Sequence, residues 1–141
     1  VGMLAGLLLA LPWPLRMGEL VEVTQVKASE NLFIVHEPDP EAGPVAVEIS
    51  YRIQPERTDV FLEAVSLLRA PRRRDGATFW RVYRDLSDAS RFVERFIVTS
   101  WADYLHQRSR ATLADQALEA RVCEHLLPGE VTHIAHYVAE R

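Results

Sequence analysis

Few side chains in this sequence are of a type and spacing that could do chemistry. His106 stands close to Arg108 and Arg110, and an imidazole with an ordinary pKa near 6.5 can serve as acid or base. A surface histidine is the plainer reading of that cluster. His133 and His136 lie three apart in a strand-like stretch, so they point to opposite faces and cannot share one metal ion from there. Cys123 sits between Val122 and Glu124 and reads as a packed or half-buried thiol. Arg110 and Asp115 are spaced to form an ion pair across a helix break. The aromatic side chains Tyr51, Trp80, Tyr83 and Trp101 can line a pocket, a core or an interface; aromatics at alternating strand positions more often pack. Cysteine pairs, His-x-x-x-His and His-Glu-x-x-His helices and a glycine-rich phosphate loop are all missing from the sequence. No cofactor and no metal is expected.

The elements that must position these residues follow from the hydrophobic periods. Val45, Val47, Ile49, Tyr51 and Ile53 alternate with Ala46, Glu48, Ser50 and Arg52, which is the period of a strand with one apolar face. Pro55 opens a helix whose apolar side is Phe61, Ala64, Val65 and Leu68, and Pro71 is expected to end it. Arg72-Arg73-Arg74 reads as a solvated helix end. A second strand is expected over Ala77–Arg84 and a third around Phe92–Thr99, joined by a polar hairpin loop, Asp85–Ser90. Both faces of the third strand carry apolar residues, as in a covered central strand. Ser100 with Asp103, and Thr112 with Asp115, resemble capping boxes. They predict a short helix Trp101–Gln107 and a longer one Leu113–Leu127, with Ala114, Ala117, Leu118, Val122 and Leu126 as the buried stripe. Pro128-Gly129 closes that helix, and Val131–Val138 forms the last strand.

The order is βαββαβ, the ferredoxin-like arrangement of a four-stranded antiparallel sheet with both helices on one face. The other face needs a cover. Leaving Trp80, Phe92 or Phe96 exposed would make an apolar patch that monomers rarely tolerate. A second copy is the simplest cover, and two-fold pairing is the commonest assembly. The expectation is therefore an α+β homodimer joined through the sheet face, a dimeric α+β barrel.

Composition bounds the partners. The chain has 141 residues, is 48% hydrophobic and 26% charged, and carries a net charge of −4, with no basic excess for a nucleic acid. The start, VGMLAGLLLALPWPL, carries no charge before Arg16. It lacks the basic lead and cleavage site of a secretory signal and is shorter than the roughly 20 apolar residues of a free-standing span. Residues 1–16 are expected to be the end of a truncated transmembrane helix, with Trp13 at the interface and Arg16 on the cytoplasmic side. Residues 17–43 read as an extended linker ending in EPDPEAGP, and residues 44–141 as the folded domain.

The stretches AVEISYRI, GATFWRVYRDLSDASRFVERFIVTSW and SWADYLHQRSRATLADQALEARV resemble the C-terminal extension of enterobactin-exporter-like major facilitator transporters, the transmembrane secretion effector family. The resemblance covers roughly residues 44–138, with Ser100-Trp101, Gln107, Arg110, Thr112 and Asp115 its most specific elements. That extension is similar to the antibiotic-biosynthesis-monooxygenase type of dimeric α+β barrel. The resemblance implies a small-molecule efflux carrier in the cell inner membrane, with this domain on the cytoplasmic side as an accessory dimerisation or regulatory module. It implies membrane attachment through the N-terminal apolar segment and no enzymatic activity. A cofactor-independent monooxygenase, or a domain that binds a small ligand in the barrel pocket, is the competing reading. On either, Tyr51, Trp80, Tyr83, Trp101, His106 and Arg110 are the candidate pocket or interface residues.

Overall fold

The computed structural model describes residues 34–141; the expected membrane segment and the first part of the expected linker lie outside the described residues. Strand β1 (Val45–Arg52) follows the alternation read from the sequence, with Val45, Val47, Ile49 and Tyr51 buried and their neighbours turned the other way. A 3₁₀ turn, Pro55–Arg57, leads into α1 (Thr58–Ser66), which buries Phe61, Ala64 and Val65. The chain does not stop at Pro71. A further short helix, α2 (Arg69–Arg74), carries that proline in its first turn, where a missing N–H costs no helical hydrogen bond.

Strand β2 (Phe79–Arg84) starts two residues later than the hydrophobic pattern suggested, and β3 (Arg91–Val98) follows a hairpin pinned by two aspartates. Asp85 accepts from the Ser87 N–H at 2.8 Å, and Asp88 from the Ser90 N–H at 3.0 Å. Helix α3 (Trp101–Ser109) begins at the Ser100 cap, and α4 (Leu113–Cys123) at a full capping box between Thr112 and Asp115. Strand β4 (His133–Val138) completes the chain. The sheet order is β2-β3-β1-β4 with every pair antiparallel, which makes the fold ferredoxin-like α+β. Among the described residues no helix is long and apolar enough to cross a membrane.

Two expectations about faces are corrected by the register. Trp80 pairs with Phe96, and Arg84 with Phe92, so all of these large aromatics share one face. Phe92 and Phe96 are buried on that face, so they are not the residues an absent cover would expose. The face left without helices carries Ala46, Glu48, Ser50, Phe79, Arg81, Tyr83, Val93, Arg95, Ile97, His133, Ala135 and Tyr137, none of them buried. The buried stripe of α4 also differs. Ala114 and Ala117 are exposed, while Asp115 and Val122 are turned inward. Asp115 takes an inward position because its carboxylate is held by the cap and by Arg74 at 2.7 Å.

The end of the expected linker is docked rather than solvated. The Trp101 N–H donates to Ala42 O at 2.8 Å, and the Ala102 N–H to Pro40 O at 2.9 Å. Both are first-turn amides with no partner inside α3, so the incoming chain supplies what the helix lacks. Gly43 makes this approach possible, since a Cβ there would meet Thr99 O at 2.1 Å. Gly43→Ala should therefore destabilise the domain by about 1–3 kcal/mol, as overpacking does. Urea denaturation of the two proteins checks this; an unchanged midpoint would show that the strap shifts without cost.

Candidate functional site

The functional candidates divide among three places. The first is the layer between sheet and helices. Glu94 sits in the middle of β3 among Phe92, Phe96 and Val98, and it is 0% exposed. A carboxylate in such a place must be satisfied from all sides. Three elements converge on it. Tyr51 from β1 donates its hydroxyl to Oε1 at 2.8 Å, Trp80 from β2 donates its indole N–H to Oε2 at 2.9 Å, and Arg72 from α2 donates Nε to Oε2 at 2.9 Å. Arg72 also reaches Glu119 on α4 at 3.1 Å and lies 5.0 Å over the Phe96 ring. Burial opposes the charge on Arg72, but the Glu94 carboxylate beside it more than offsets this and holds its pKa above the ordinary value. Burial, with the Glu94 charge adding to it, raises the Tyr51 pKa well above 10, so its hydroxyl keeps its proton and remains a donor.

Arg72 and Arg74 were expected to be solvated. Instead Arg72 closes the Glu94 cluster, and Arg74 donates to both Asp75 at 2.9 Å and Asp115 at 2.7 Å. Asp115 thus pairs with Arg74 and not with Arg110. Glu94 is the residue that pattern reading passed over. The signal was present: an acid at an inward position of an otherwise apolar strand face, with a tryptophan one strand away.

The second place joins α3 to β4. Trp101 donates its indole N–H to Glu37 at 3.4 Å, and its ring lies 5.4 Å from Tyr104 and 6.2 Å from His136. Arg108 donates to the Tyr104 hydroxyl at 3.0 Å, which leaves that hydroxyl to donate to His136 Nε2 at 2.8 Å. Burial, helped by the Arg108 charge, lowers the His136 pKa to about 4, so the imidazole is a neutral acceptor. His106 and Arg110 lie exposed toward the C-terminal end of α3.

The third place is the uncovered sheet face. Tyr83 lies there, half-exposed, with the Arg95 guanidinium 5.5 Å from its ring centre. Arg95 also donates from Nε and Nη2 to Oε2 of Glu48. At one end, the small Ser50 leaves a dip between longer side chains. The resulting groove of about 210 Å³ is lined by Ser50, Arg52, Arg91, Glu130, Val131 and His133 along with Tyr51. Arg91 is held there by Ser50 at 2.9 Å and Asp85 at 3.0 Å. His133 is turned to this face and His136 to the helices, as strand alternation requires. Among the described residues no group of three His, Cys, Asp or Glu side chains could hold a metal ion.

The sequence candidates are therefore split: Tyr51 and Trp80 meet at Glu94, Trp101 belongs to the His136 group, Tyr83 faces the other way, and His106 and Arg110 join none of them. Among the described residues every buried side-chain polar atom has a hydrogen-bond partner. The Glu94 cluster is accordingly a closed clasp, with each of its buried polar atoms hydrogen-bonded.

Two measurements follow from this geometry. Glu94→Ala should cost about 3–5 kcal/mol in urea unfolding, because it removes the buried partner of the Arg72 charge. Arg72→Met combined with Glu94→Leu should cost clearly less than the sum of the single changes; strict additivity would deny the pair. His136 gives the pH dependence. Its folded pKa of about 4 lies below the unfolded 6.5, so the unfolded chain binds more protons between those values. Stability should fall as pH drops from about 6.5 through about 4, and His136→Gln should flatten that part of the curve.

Comparison with known proteins agrees with this architecture. A structure from Caulobacter crescentus CB15, provisionally named an antibiotic biosynthesis monooxygenase, is similar at a TM-score of 0.60 and 16% identity, covering 72% of this chain and 93% of that one. A protein of Nitrosomonas europaea with the same provisional name gives 0.56 at 15% identity, over 69% and 99% of the two chains. Rv0793 from Mycobacterium tuberculosis gives 0.55 at 17% identity, over 70% and 97%. At these identities the likeness is one of fold. No curated protein matches the sequence. The family model for transmembrane secretion effectors matches residues 1–141, and the chain belongs to that family.

Proposed function

We propose that residues 44–141 are the cytoplasmic accessory domain, for dimerisation or regulation, of a major facilitator small-molecule efflux carrier in the cell inner membrane. On this reading residues 1–16 are the end of its last membrane helix and residues 17–43 connect the two. Membership of the transmembrane secretion effector family supports the attachment to a transporter. The observation that carries the accessory role is the one-sided sheet. Its helix-facing layer is closed around Glu94, while the opposite face presents Tyr83, Tyr137, Val93 and Ile97 among charged side chains. A mixed face of that kind suits a partner surface, in which apolar contacts give area and charges set register.

A second reading is a small-ligand-binding domain or a cofactor-independent monooxygenase. It draws on the groove around Ser50, Arg91 and His133 and on the names given to the proteins of similar fold. Fold likeness alone is weak warrant for an activity.

The test is the carrier expressed with its upstream reading frame, with and without residues 44–141. Both forms should insert in the membrane, and the shortened one should lose self-association and at least half of its efflux rate. Unchanged association and efflux would refute the accessory role. An upstream frame that encodes no membrane spans would refute the carrier itself.

A further inference from the structure

One corner of the helical layer is basic in a chain that is acidic overall. Residues 69–75 and 106–115 hold six arginines against two aspartates, while the whole sequence has a net charge of −4. Two contacts hold these segments side by side. The Gln107 side-chain amide on α3 donates to Arg72 O at 3.4 Å, and Arg74 donates to Asp115 in the first turn of α4 at 2.7 Å. Asp115 also accepts from the Thr112 N–H at 3.0 Å, which keeps the link between α3 and α4 beside the end of α2. Some of the cations here are already spent. Arg72 meets Glu94 and Glu119, Arg108 meets Tyr104, and Arg74 meets both Asp75 and Asp115. The guanidinium groups of Arg69, Arg73 and Arg110 are exposed and have no ion pair or hydrogen bond among the described residues. Arg69 and Arg73 stand four apart on α2, so they share one side of it. Leu113, 58% exposed, adds an apolar tip three residues after Arg110.

We infer that this corner docks on an anionic lipid surface, with Arg69, Arg73 and Arg110 on the phosphates and Leu113 among the headgroups. The inference rests on the carrier reading proposed above, in which a bilayer lies beside the domain, and adds how the domain meets it. A guanidinium stays charged and offers a planar fork of N–H donors that matches phosphate oxygens. Free cations are what such a contact needs, because an arginine already paired with a carboxylate has little attraction left to give. Arg74 neutralises one of the two local aspartates, and the three free arginines outweigh the other. Attraction of this kind reaches only about 8–10 Å at physiological salt. It therefore acts on a domain whose chain is already held at the bilayer, where tethering raises the effective concentration and a few contacts suffice. The exposed leucine adds apolar area to the charge, the combination by which amphipathic surfaces bind anionic membranes.

The test adds the 141-residue chain to vesicles of phosphatidylcholine alone, and of phosphatidylcholine mixed with anionic phosphatidylglycerol. The apolar start of the sequence contributes to both, so the ratio of the two affinities reads the charged corner. Each arginine at an anionic surface strengthens binding severalfold, so the wild-type ratio should be roughly ten or more. Arg69→Gln, Arg73→Gln and Arg110→Gln together should lower it about fivefold or more. Salt at about 1 M, where the Debye length is about 3 Å, should do the same. A control combining Arg81→Gln, Arg121→Gln and Arg141→Gln loses the same charge elsewhere and should keep the wild-type ratio. All six positions are exposed, so neither triple variant should disturb the fold. A lipid-sensitive dye on Leu113→Cys, with the exposed Cys123 changed to serine, gives a second reading. Its emission should shift to the blue on the anionic vesicles only. A wild-type ratio near one, equal ratios for the two triple variants, or a dye unmoved by anionic lipid overturns the docking. So does binding to a short DNA duplex as tight as to the anionic vesicles at equal phosphate, since the corner would then be a surface for nucleic acid. The carrier reading is decided by its upstream frame, so a failure here leaves it standing.

Discussion

The structure depends on one buried carboxylate. Glu94 lies at the centre of the interlayer, and an acid there is tolerable only when donors surround it. Tyr51, Trp80 and Arg72 come from three separate elements, so β1, β2 and α2 must all be in place before the charge is satisfied. This makes the clasp a check on the whole packing arrangement. A slip of β2 by one residue would turn Trp80 to the other face, and a displaced α2 would leave the acid without its cation. Arg72 extends the constraint to the last helix through Glu119, and Gln107 on α3 donates to the Arg72 carbonyl at 3.4 Å. All the α-helices except α1 are thereby tied by polar contacts to the same point, and α1 meets it through the Phe61 ring, 5.4 Å from Tyr51.

A layer so closed has a functional consequence. The inward side chains are committed to one another, and the opposite sheet face carries no helix. There the residues are half-exposed, mixed in character and ordered in rows, with a groove where Ser50 interrupts the longer side chains. The accessory role proposed above draws on this arrangement alongside the family to which the chain belongs.

The strap from Glu37 to Gly43 adds a second theme. Its carbonyls serve as the cap of α3, and Glu37 accepts from the Trp101 indole. Trp101 in turn packs against Tyr104 and His136. The polypeptide entering the domain is thus held against the helix that contacts the final strand, so entry and exit of the fold share one aromatic cluster.

Much of this was legible in the residue pattern. Two-residue alternation from Val45 to Ile53 and around Phe92 to Val98 specified strands, and the Ser100 and Thr112 caps marked two helix starts, because these are local rules that neighbouring residues obey. The order of elements followed, and with it the ferredoxin-like topology. What periodicity could not supply was the environment of each face. It could not say that Trp80 and Phe96 turn toward the helices, that Arg72 leaves its basic run to meet Glu94, or that Asp115 prefers Arg74 to Arg110. Nor could it place Pro71 inside a helix, since a proline is excluded from a helix interior but not from a first turn. Alternation tells which residues share a face, but only long-range pairing tells what that face meets. Contacts such as Tyr51 to Glu94, 43 positions apart, are set by chain topology rather than by any local preference.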